Sequence, residues 1–375
     1  MSLREVSIQR LVVKVGSSVL TDARGRLLPA RIERLADQVA AAGAARSCST
    51  MLVSSGAIAC GMAALGLTAR PKSLAQLQTC AAVGQVELMH RYAVAFGKRS
   101  LVTAQVLLTQ DDLADRTRYR NAKQTLLTLL HRRVLPIVNE NDTVAVEEIT
   151  FGDNDRLAAL VACAVDAQLL VILSDVEGLL RDGRLVERVE ALDRSHGALV
   201  RGGTRPTTKG GMASKLEAAR IVGHSGIPMV VANGTAGSAL TDLLAGKSVG
   251  TLFGPGRQRL TSRKWWIAGA RRQPHGTLVV DEGEAQALAE RGKSLLASGV
   301  LDVKGRFDAG AFVAVTTRAG DEVARGVSNF SAGELARIRG MKSAEAAKVL
   351  GLAAVREVIH RDHLVLAGEL HAAGG

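Results

Sequence analysis

Short apolar runs alternate with helical patterns along the first two thirds of the chain. The predicted strands are Leu11–Val15, Thr50–Val53, Leu101–Leu108, Val134–Asn139, Leu169–Leu173 and Pro228–Ala232. The helical patterns between them include Pro29–Ala42 with Gly43 as its C-cap, Ser73–Phe96, Asn121–His131 and Asn154–Ala164. Strands that alternate with helices form βαβ units, which build a parallel sheet with helices on both faces. The pattern therefore predicts an α/β fold, an αβα sandwich with a mostly parallel central sheet.

The pattern changes near Gly254. An arginine-rich stretch follows that contains both tryptophans, and beyond it the apolar runs are short and β-like, with one helical pattern at Ala285–Leu296. About a hundred residues is an ordinary size for a separate domain. We expect a first domain over 1–260, a linker over 261–274, a small β-rich domain over 275–365 and a disordered tail over 366–375.

The composition favours a large aliphatic core and no membrane span. Hydrophobic residues make up 47% of the 375 residues and aromatic residues only 3%. No apolar run reaches the length of about 20 residues that a membrane-spanning helix needs, and the N-terminus lacks the apolar segment of a signal peptide. The four cysteines have no CxxC spacing, which is typical of buried thiols in a reducing compartment. We expect a cytoplasmic protein without a membrane partner.

The net charge of +12 is distributed unevenly along the chain. Residues 274–375 carry 12 Lys and Arg against 13 Asp and Glu, so all of the positive excess lies before Pro274. A basic first domain is compatible with phosphate handling as well as with nucleic-acid binding. The balanced tail counts against a nucleic-acid partner for the second domain, because a general RNA-binding surface is basic.

Polar, glycine-rich segments follow four of the predicted strands. They are the segments "KVGSS", "VSSGA", "VNEND" and "LSDVEG". In open α/β sheets, ligands bind outside the carboxyl ends of the strands. One such segment is compatible with a simple turn, but four that meet at one edge of a sheet favour a ligand site.

Familiar nucleotide and metal motifs are missing from the sequence. The segments "AGKS" and "RGKS" resemble the end of a Walker P-loop but lack its preceding glycine, so we interpret both as turns. No GxGxxG follows the first strand, and no HExxH or Cys/His cluster predicts a protein-held metal.

Two lysines in glycine-rich settings are candidates for phosphate contact. Lys14 opens "KVGSS", and Lys215 closes "KGGMASK" where a helix begins. Two glycines and a helix N-terminus together form a good anion site. Taken singly, Lys14 is also compatible with an edge-strand lysine whose ammonium reaches solvent, and Lys215 with a solvated helix residue.

The segment "GDND", Gly152–Asp155, places two acids and an amide directly before a helical run. A helix N-cap needs only one such residue. Clustered carboxylates near two lysines suit phosphoryl transfer with a divalent cation, in which positioning and charge neutralisation do most of the catalysis.

Seven blocks of the sequence together resemble one known family. They are "VVKVGSSVLT", "VSSGAIACG", "AAVGQ", "LLTQDDL", "NENDTVAVEEITFGDNDRLAALVA", "LSDVEGL" and "KGGMASKLEAA". The blocks are similar in identity and order to the amino acid kinase superfamily and, within it, to the glutamate 5-kinase (gamma-glutamyl kinase) family. The tail from Gly276 resembles a PUA domain. The resemblance implies transfer of the γ-phosphoryl group of ATP to the γ-carboxylate of L-glutamate, the first step of proline biosynthesis.

The resemblance also implies roles for individual residues. Lys14 and Lys215 contact the phosphates from two sides, Asp155 orients both lysines, and Asp153 supports the substrate contact. The residues implied for the amino-acid substrate are Ser55, Gly56, Asn154 and Asp142, the last as partner of its ammonium group. The residues implied for the nucleotide are Lys14, Ser174, Asp175, Lys209, Gly210, Gly211, Met212, Ala213, Ser214 and Lys215. Mg2+ is expected to enter with ATP, so no metal ligand is predicted.

The chain departs from the family pattern at three places. Lys209 stands where threonine is usual, Ser174 where threonine is frequent, and "RDGRLVERV" is shorter than the matching segment of many relatives. These departures concern nucleotide affinity rather than the class of reaction. The resemblance further implies feedback inhibition by proline and a homo-oligomer, either a dimer or a tetramer.

Two alternatives stay open at this point. A sibling kinase would act on aspartate, N-acetylglutamate or uridylate, although the "NEND" block and the PUA-like tail count against it. A protein that binds or modifies RNA through its PUA domain is the second alternative, and the balanced charge of the tail counts against it.

Overall fold

The computed structural model describes residues 7–22, 26–46, 48–145, 153–190, 192, 211–255, 274–291, 293–354 and 356–367. The chain forms two compact units, Met1–Arg259 and Leu260–Gly375. Of the predicted linker, only Pro274 belongs to the described residues, and of the predicted tail only residues 366 and 367 do.

The first unit is built on a mostly parallel sheet, as the sequence predicted. Its strands are β1 (Arg10–Val15), β2 (Ser49–Ser54), β3 (Thr103–Leu108), β4 (Leu135–Glu140), β5 (Leu169–Ser174), β6 (Leu180–Arg181), β7 (Arg184–Leu185), β8 (Arg188–Val189), β9 (Met229–Asn233) and β10 (Thr251–Phe253). Eight of them form a sheet in the order β3-β4-β2-β1-β5-β9-β10-β8, and β6 pairs with β7. Among the described strands of this sheet, β9 and β10 pair antiparallel and the other neighbours pair parallel.

Helices connect these strands. In chain order they are α1 (Ser17–Leu20), α2 (Pro29–Arg46), α3 (Ala57–Ala64), α4 (Leu74–Gly97), α5 (Gln110–Ala114), α6 (Arg116–His131), α7 (Asp153–Ala164), α8 (Met212–His224) and α9 (Ala239–Leu244). The predicted C-cap at Gly43 was wrong, because α2 continues to Arg46. The φ of Gly43 is not positive, and the alanines that follow it are strong helix formers that compensate for one interior glycine.

The alternation of side chains along β1 determines what Lys14 can reach. Leu11, Val13 and Val15 belong to the core between the sheet and the helices α2, α4 and α9. Since successive side chains of a strand point to opposite faces, Lys14 lies on the other face of the sheet. That face is covered by α7, which packs on β1, and by α8, which packs on α7.

Helices α3 and α4 approach each other through two glycines. A Cβ atom on Gly84 would lie 1.8 Å from the carbonyl oxygen of Ala57, and one on Gly61 would lie 1.8 Å from that of Cys80. Only glycine permits this backbone contact. The contact holds α4 against the first turn of α3, which directly follows Ser55-Gly56.

The second unit contains a five-stranded sheet in the order β12-β11-β13-β14-β15. Its strands are β11 (Gly276–Val280), β12 (Val300–Gly305), β13 (Phe312–Thr317), β14 (Glu322–Val327) and β15 (Leu364–Leu366), and its helices are α10 (Glu282–Arg291), α11 (Ala332–Ile338) and α12 (Ser343–Leu350). Helices α11 and α12 were missed from the sequence. The signal for α11 was a capping box in which Ser331 and Glu334 each bond the other's backbone N–H.

The cysteines are buried and free, as the sequence predicted. Burial raises the pKa of the Cys60 and Cys163 thiols to about 12, so both are protonated at neutral pH. Within the described ranges no helix is both long and apolar enough to cross a bilayer.

We predict that Gly84→Ala destabilises the first unit, because a new methyl group would collide with backbone atoms that cannot rotate away. Overpacking of this kind lowers the free energy of unfolding by about 1–3 kcal/mol, and we expect the upper end of that range. Urea unfolding followed by circular dichroism measures the change.

The matched control is Gly97→Ala in the same helix, where an added Cβ meets no atom within 4 Å. This change is expected to leave stability unchanged or to raise it by up to about 1 kcal/mol. Equal stability of the two variants would contradict the close contact between α3 and α4.

Candidate functional site

The four polar segments predicted from the sequence follow four neighbouring strands. The strands β4, β2, β1 and β5 lie side by side in the sheet and are parallel. Their carboxyl ends therefore share one edge of the sheet. This edge is where an α/β sheet binds its ligand.

A buried ionic cluster lies at this edge. Lys14 Nζ is 2.6 Å from Asp155 Oδ1, and Lys215 Nζ is 3.1 Å from Asp155 Oδ2. Lys14 and Lys215 are each 6% exposed and Asp155 is 0% exposed, so the contacts are shielded from water. Ser214 Oγ donates a further hydrogen bond of 2.8 Å to Asp155 Oδ2. The two lysines, about 200 residues apart in the sequence, thus share one carboxylate.

Three elements position the cluster. Lys14 belongs to β1, Asp155 to the first turn of α7 and Lys215 to the first turn of α8. An ion pair between Arg156 and Glu217 joins α7 to α8 beside the cluster. The first turns of the two helices are therefore held together where they face the end of β1.

The electrostatics of the cluster favour an anionic ligand. Burial and the charge of Lys215 lower the pKa of Lys14, although Asp155 opposes them. Burial by itself would raise the pKa of Asp155, but the two ammonium groups outweigh it and hold that pKa below its usual value. One carboxylate between two ammonium groups leaves an excess positive charge, which a phosphate oxygen at this position would balance.

The predicted substrate residues Ser55, Gly56 and Asn154 come together beside the cluster. Asn154 Nδ2 lies 2.7 Å from the carbonyl oxygen of Ser54 and 2.8 Å from Ser55 Oγ. Gly56 has a φ of 111°, which permits the turn from β2 into α3. Asp142 lies at the end of β4, and its charge acts on Arg70, whose pKa is lowered mainly by burial. Ser55 and Asn154 therefore lie together beside the end of β2, next to the ionic cluster.

The predicted nucleotide residues are placed only in part. Ser174 ends β5 and donates 3.1 Å to Asp175 Oδ1, and the charge of Asp175 acts on Lys14. Gly211, Met212, Ala213 and Ser214 form the N-terminus of α8, where Gly211 provides no side-chain cap. Such an end favours anions.

Three predicted positions lie wholly or partly outside the described residues. Lys209 and Gly210 lie outside the described residues, and so does the side chain of Asp153. Asp153 begins α7, so the "GDND" acids and amide form the first turn of the helix and do not precede it.

Sequence reasoning missed three polar residues that lie near the predicted substrate residues. Asn139 Nδ2 donates 2.8 Å to Gln85 Oε1, and Tyr92 Oη lies 2.8 Å from Ser54 Oγ. Asn139 and Gln85 stand within the quoted segments "NEND" and "AAVGQ", but their partners are far away in sequence. Tyr92 is 0% exposed in a helix whose spacing predicts only core packing.

We predict that Asp155→Asn lowers stability at neutral pH, because it removes the carboxylate that both buried ammonium groups contact. Breaking a buried ion pair in this way costs about 3–5 kcal/mol. The loss should shrink as pH rises. Without Asp155 the pKa of Lys14 falls further below its unfolded-state value, so the folded state binds fewer protons and gains stability up to about pH 10.

Urea unfolding at pH 7 and pH 9.5 measures both effects. The control is Asp37→Asn, which removes an exposed carboxylate that pairs with Arg99 at 2.7 Å and should change little. A variant at position 155 that is as stable as the wild type at pH 7 would refute the electrostatic account.

The chain is similar to known proteins over nearly its whole length. Residues 9–233 match the model of the amino acid kinase family, and residues 276–350 match that of the PUA domain. A glutamate 5-kinase from Salinispora arenicola is 48% identical over 370 residues, which are 97% of this chain and 99% of the relative. Glutamate 5-kinases from Thermus thermophilus and Moorella thermoacetica are 47% and 45% identical, each over at least 96% of both chains. These family-model matches and near-full-length relatives show that the chain belongs to the amino acid kinase family and, within it, to the PUA-containing glutamate 5-kinases.

Proposed function

We propose that the protein transfers the γ-phosphoryl group of ATP to the γ-carboxylate of L-glutamate and so forms L-glutamyl 5-phosphate. The observation that carries the proposal is the pair of buried lysines that share Asp155 at the carboxyl edge of the sheet. Family membership supports the choice of reaction, and the names of the relatives support the choice of glutamate.

The lysines reduce the main barrier to this reaction, which is the electrostatic repulsion between the two substrates. A carboxylate that attacks a triphosphate brings two anions together, and cations that are already in place offset their repulsion. Because Asp155 holds both ammonium groups, they need no large rearrangement when charge shifts toward the transferred oxygens. Lys14 and Lys215 therefore act on the transferring phosphoryl group, and Asp155 positions them.

The two substrates bind on different sides of the cluster. On one side, Ser174, Asp175 and the N-terminus of α8 bind the nucleotide. On the other side, the residues beside β2 and β4 bind glutamate: Ser55, Gly56, Asp142 and Asn154. The γ-carboxylate of glutamate then meets the γ-phosphate between Lys14 and Lys215.

The donor set fits a magnesium ion that arrives with ATP. Both oxygens of Asp155 already contact ammonium groups, so this carboxylate is not available as a ligand. Mg2+ keeps several waters and prefers phosphate oxygens with one or two carboxylates. When bound, the ion would neutralise phosphate charge, and among the described residues the side chain of Asp175 is a suitable additional ligand.

We predict that hydroxamate formation from ATP and hydroxylamine is fastest with L-glutamate among L-glutamate, L-aspartate and N-acetylglutamate. Lys14→Ala and Lys215→Ala should each lower kcat at least about a hundredfold, the effect of removing one preorganised charge-stabilising donor. Lys247→Ala is the matched control, because that lysine is exposed and pairs with Asp242 at 2.6 Å.

Two results would count against the proposal. A clear preference for another acceptor would assign the enzyme to a sibling reaction. Near-normal turnover of either lysine variant would remove that lysine from the mechanism.

We also propose that proline inhibits the enzyme by competing with glutamate, since both molecules carry an α-carboxylate and an α-amino group. Proline should raise the KM for glutamate and leave kcat unchanged in initial-rate measurements. A fall in kcat at saturating glutamate would place the inhibitor at another site.

The remaining proposals concern assembly and partners. We propose a homo-oligomer, dimer or tetramer, which the mass in solution tests, and a cytoplasmic location, which cell fractionation tests. The second unit is not proposed to bind RNA, because residues 274–375 carry a balanced charge. A salt-sensitive submicromolar complex with tRNA would contradict that expectation.

A further inference from the structure

A chain of side-chain amides connects α4 to the substrate side of the site. Gln85 Oε1 accepts a hydrogen bond of 2.8 Å from Asn139 Nδ2. Asn139 Oδ1 in turn lies 3.0 Å from Asn154 Nδ2. Gln85 is half-buried and Asn139 is 3% exposed, so the chain is largely enclosed. The last of these residues, Asn154, directly precedes Asp155 of the ionic cluster.

Backbone groups fix the orientation of each amide. The N–H of Glu140 donates 3.0 Å to Asn139 Oδ1, and an N–H can only donate. Asn139 Nδ2 is therefore the donor toward Gln85, and Gln85 must present its oxygen to it. The carbonyl oxygen of Ser54 can only accept, so Asn154 must present its nitrogen there.

This orientation leaves two complementary atoms without partners. Gln85 Nε2 and Asn154 Oδ1 are both buried and have no hydrogen-bond partner among the described residues. Buried unpaired amide groups are rare, because each costs about 1–3 kcal/mol. One of these atoms is a donor and the other an acceptor, so a ligand that pairs with both needs one acceptor and one donor.

The head group of an α-amino acid has this pairing. Its carboxylate accepts hydrogen bonds and its ammonium group donates them. We propose that Gln85 binds the α-carboxylate of the substrate through Nε2, while Asn154 Oδ1 is available to the ammonium group beside Asp142. Gln85 is then a specificity-determining residue that selects acceptors with a free α-carboxylate. This inference rests on the proposed glutamate kinase activity and extends it.

The decisive variant is Gln85→Glu, which keeps an oxygen for Asn139 but replaces the donor by a second carboxylate oxygen. The KM for L-glutamate should rise about 10- to 100-fold, the range of a hydrogen bond to a charged group, and kcat should change less than about threefold. With L-glutamic acid α-amide as acceptor, the neutral amide can donate to the new carboxylate. The kcat/KM preference for glutamate over its α-amide should therefore fall at least about tenfold.

A second variant, Gln85→Met, removes the donor without adding charge. It should raise the KM for glutamate and leave kcat/KM for 4-aminobutyrate, which lacks the α-carboxylate, within about threefold of the wild type. The matched control is Gln76→Glu, which makes the same charge change at an exposed position of α4. Thermal melting of each variant confirms that it is folded.

The outcomes separate this inference from the activity it rests on. An equal loss with glutamate, its α-amide and 4-aminobutyrate would overturn the role of Gln85 and leave glutamate phosphorylation in place. A wild type that phosphorylates no glutamate would overturn both. A loss confined to acceptors with an α-carboxylate would support the inference.

Discussion

The contact of one buried carboxylate with two buried ammonium groups is the constraint on which the rest of the structure depends. Asp155 is 0% exposed and reaches Lys14 and Lys215 with different oxygens. Burying charges is unfavourable unless they are paired, so this arrangement requires the carboxylate. Within the cluster itself, two ammonium groups face one carboxylate. A protein retains such an excess of positive charge where a bound anion neutralises it. For this reason we propose that the phosphates bind there.

The fold brings these groups together through ordinary backbone rules. The alternation of β1 points Lys14 away from the core beneath α2 and α4 and toward α7. The parallel order of β4, β2, β1 and β5 collects their polar ends along one edge. The glycine contact between α3 and α4 then holds the first turn of α3 against α4 at Gly84, the neighbour of Gln85. The proposed catalytic lysines and the proposed substrate residues are therefore held by adjacent but different elements.

Much of the fold and part of the site followed from the sequence. Alternating apolar runs predicted the parallel sheet, and the four polar strand ends predicted where Lys14 and Ser55 would lie. Helix α2 continues beyond the C-cap predicted at Gly43, because a single glycine among alanines does not end a helix. Gln85 and Tyr92 could not be recognised as site residues from the sequence, because they reach the site through hydrogen bonds to Asn139 and Ser54, which are distant in sequence. Lys215 could be suspected from its glycine-rich setting, but its sharing of Asp155 is a tertiary contact that no local pattern encodes.

The most direct measurement of the central claim is a crystal structure of the protein with L-glutamate, Mg2+, ADP and aluminium fluoride, which mimics the transferring phosphoryl group. The account predicts that the Nζ atoms of Lys14 and Lys215 both lie within about 3.2 Å of the fluoride ligands, a normal hydrogen-bond distance. It also predicts that Asp155 still touches both lysines. A complex in which the fluoride lies away from either ammonium group, with that lysine still bound only to Asp155, would contradict it.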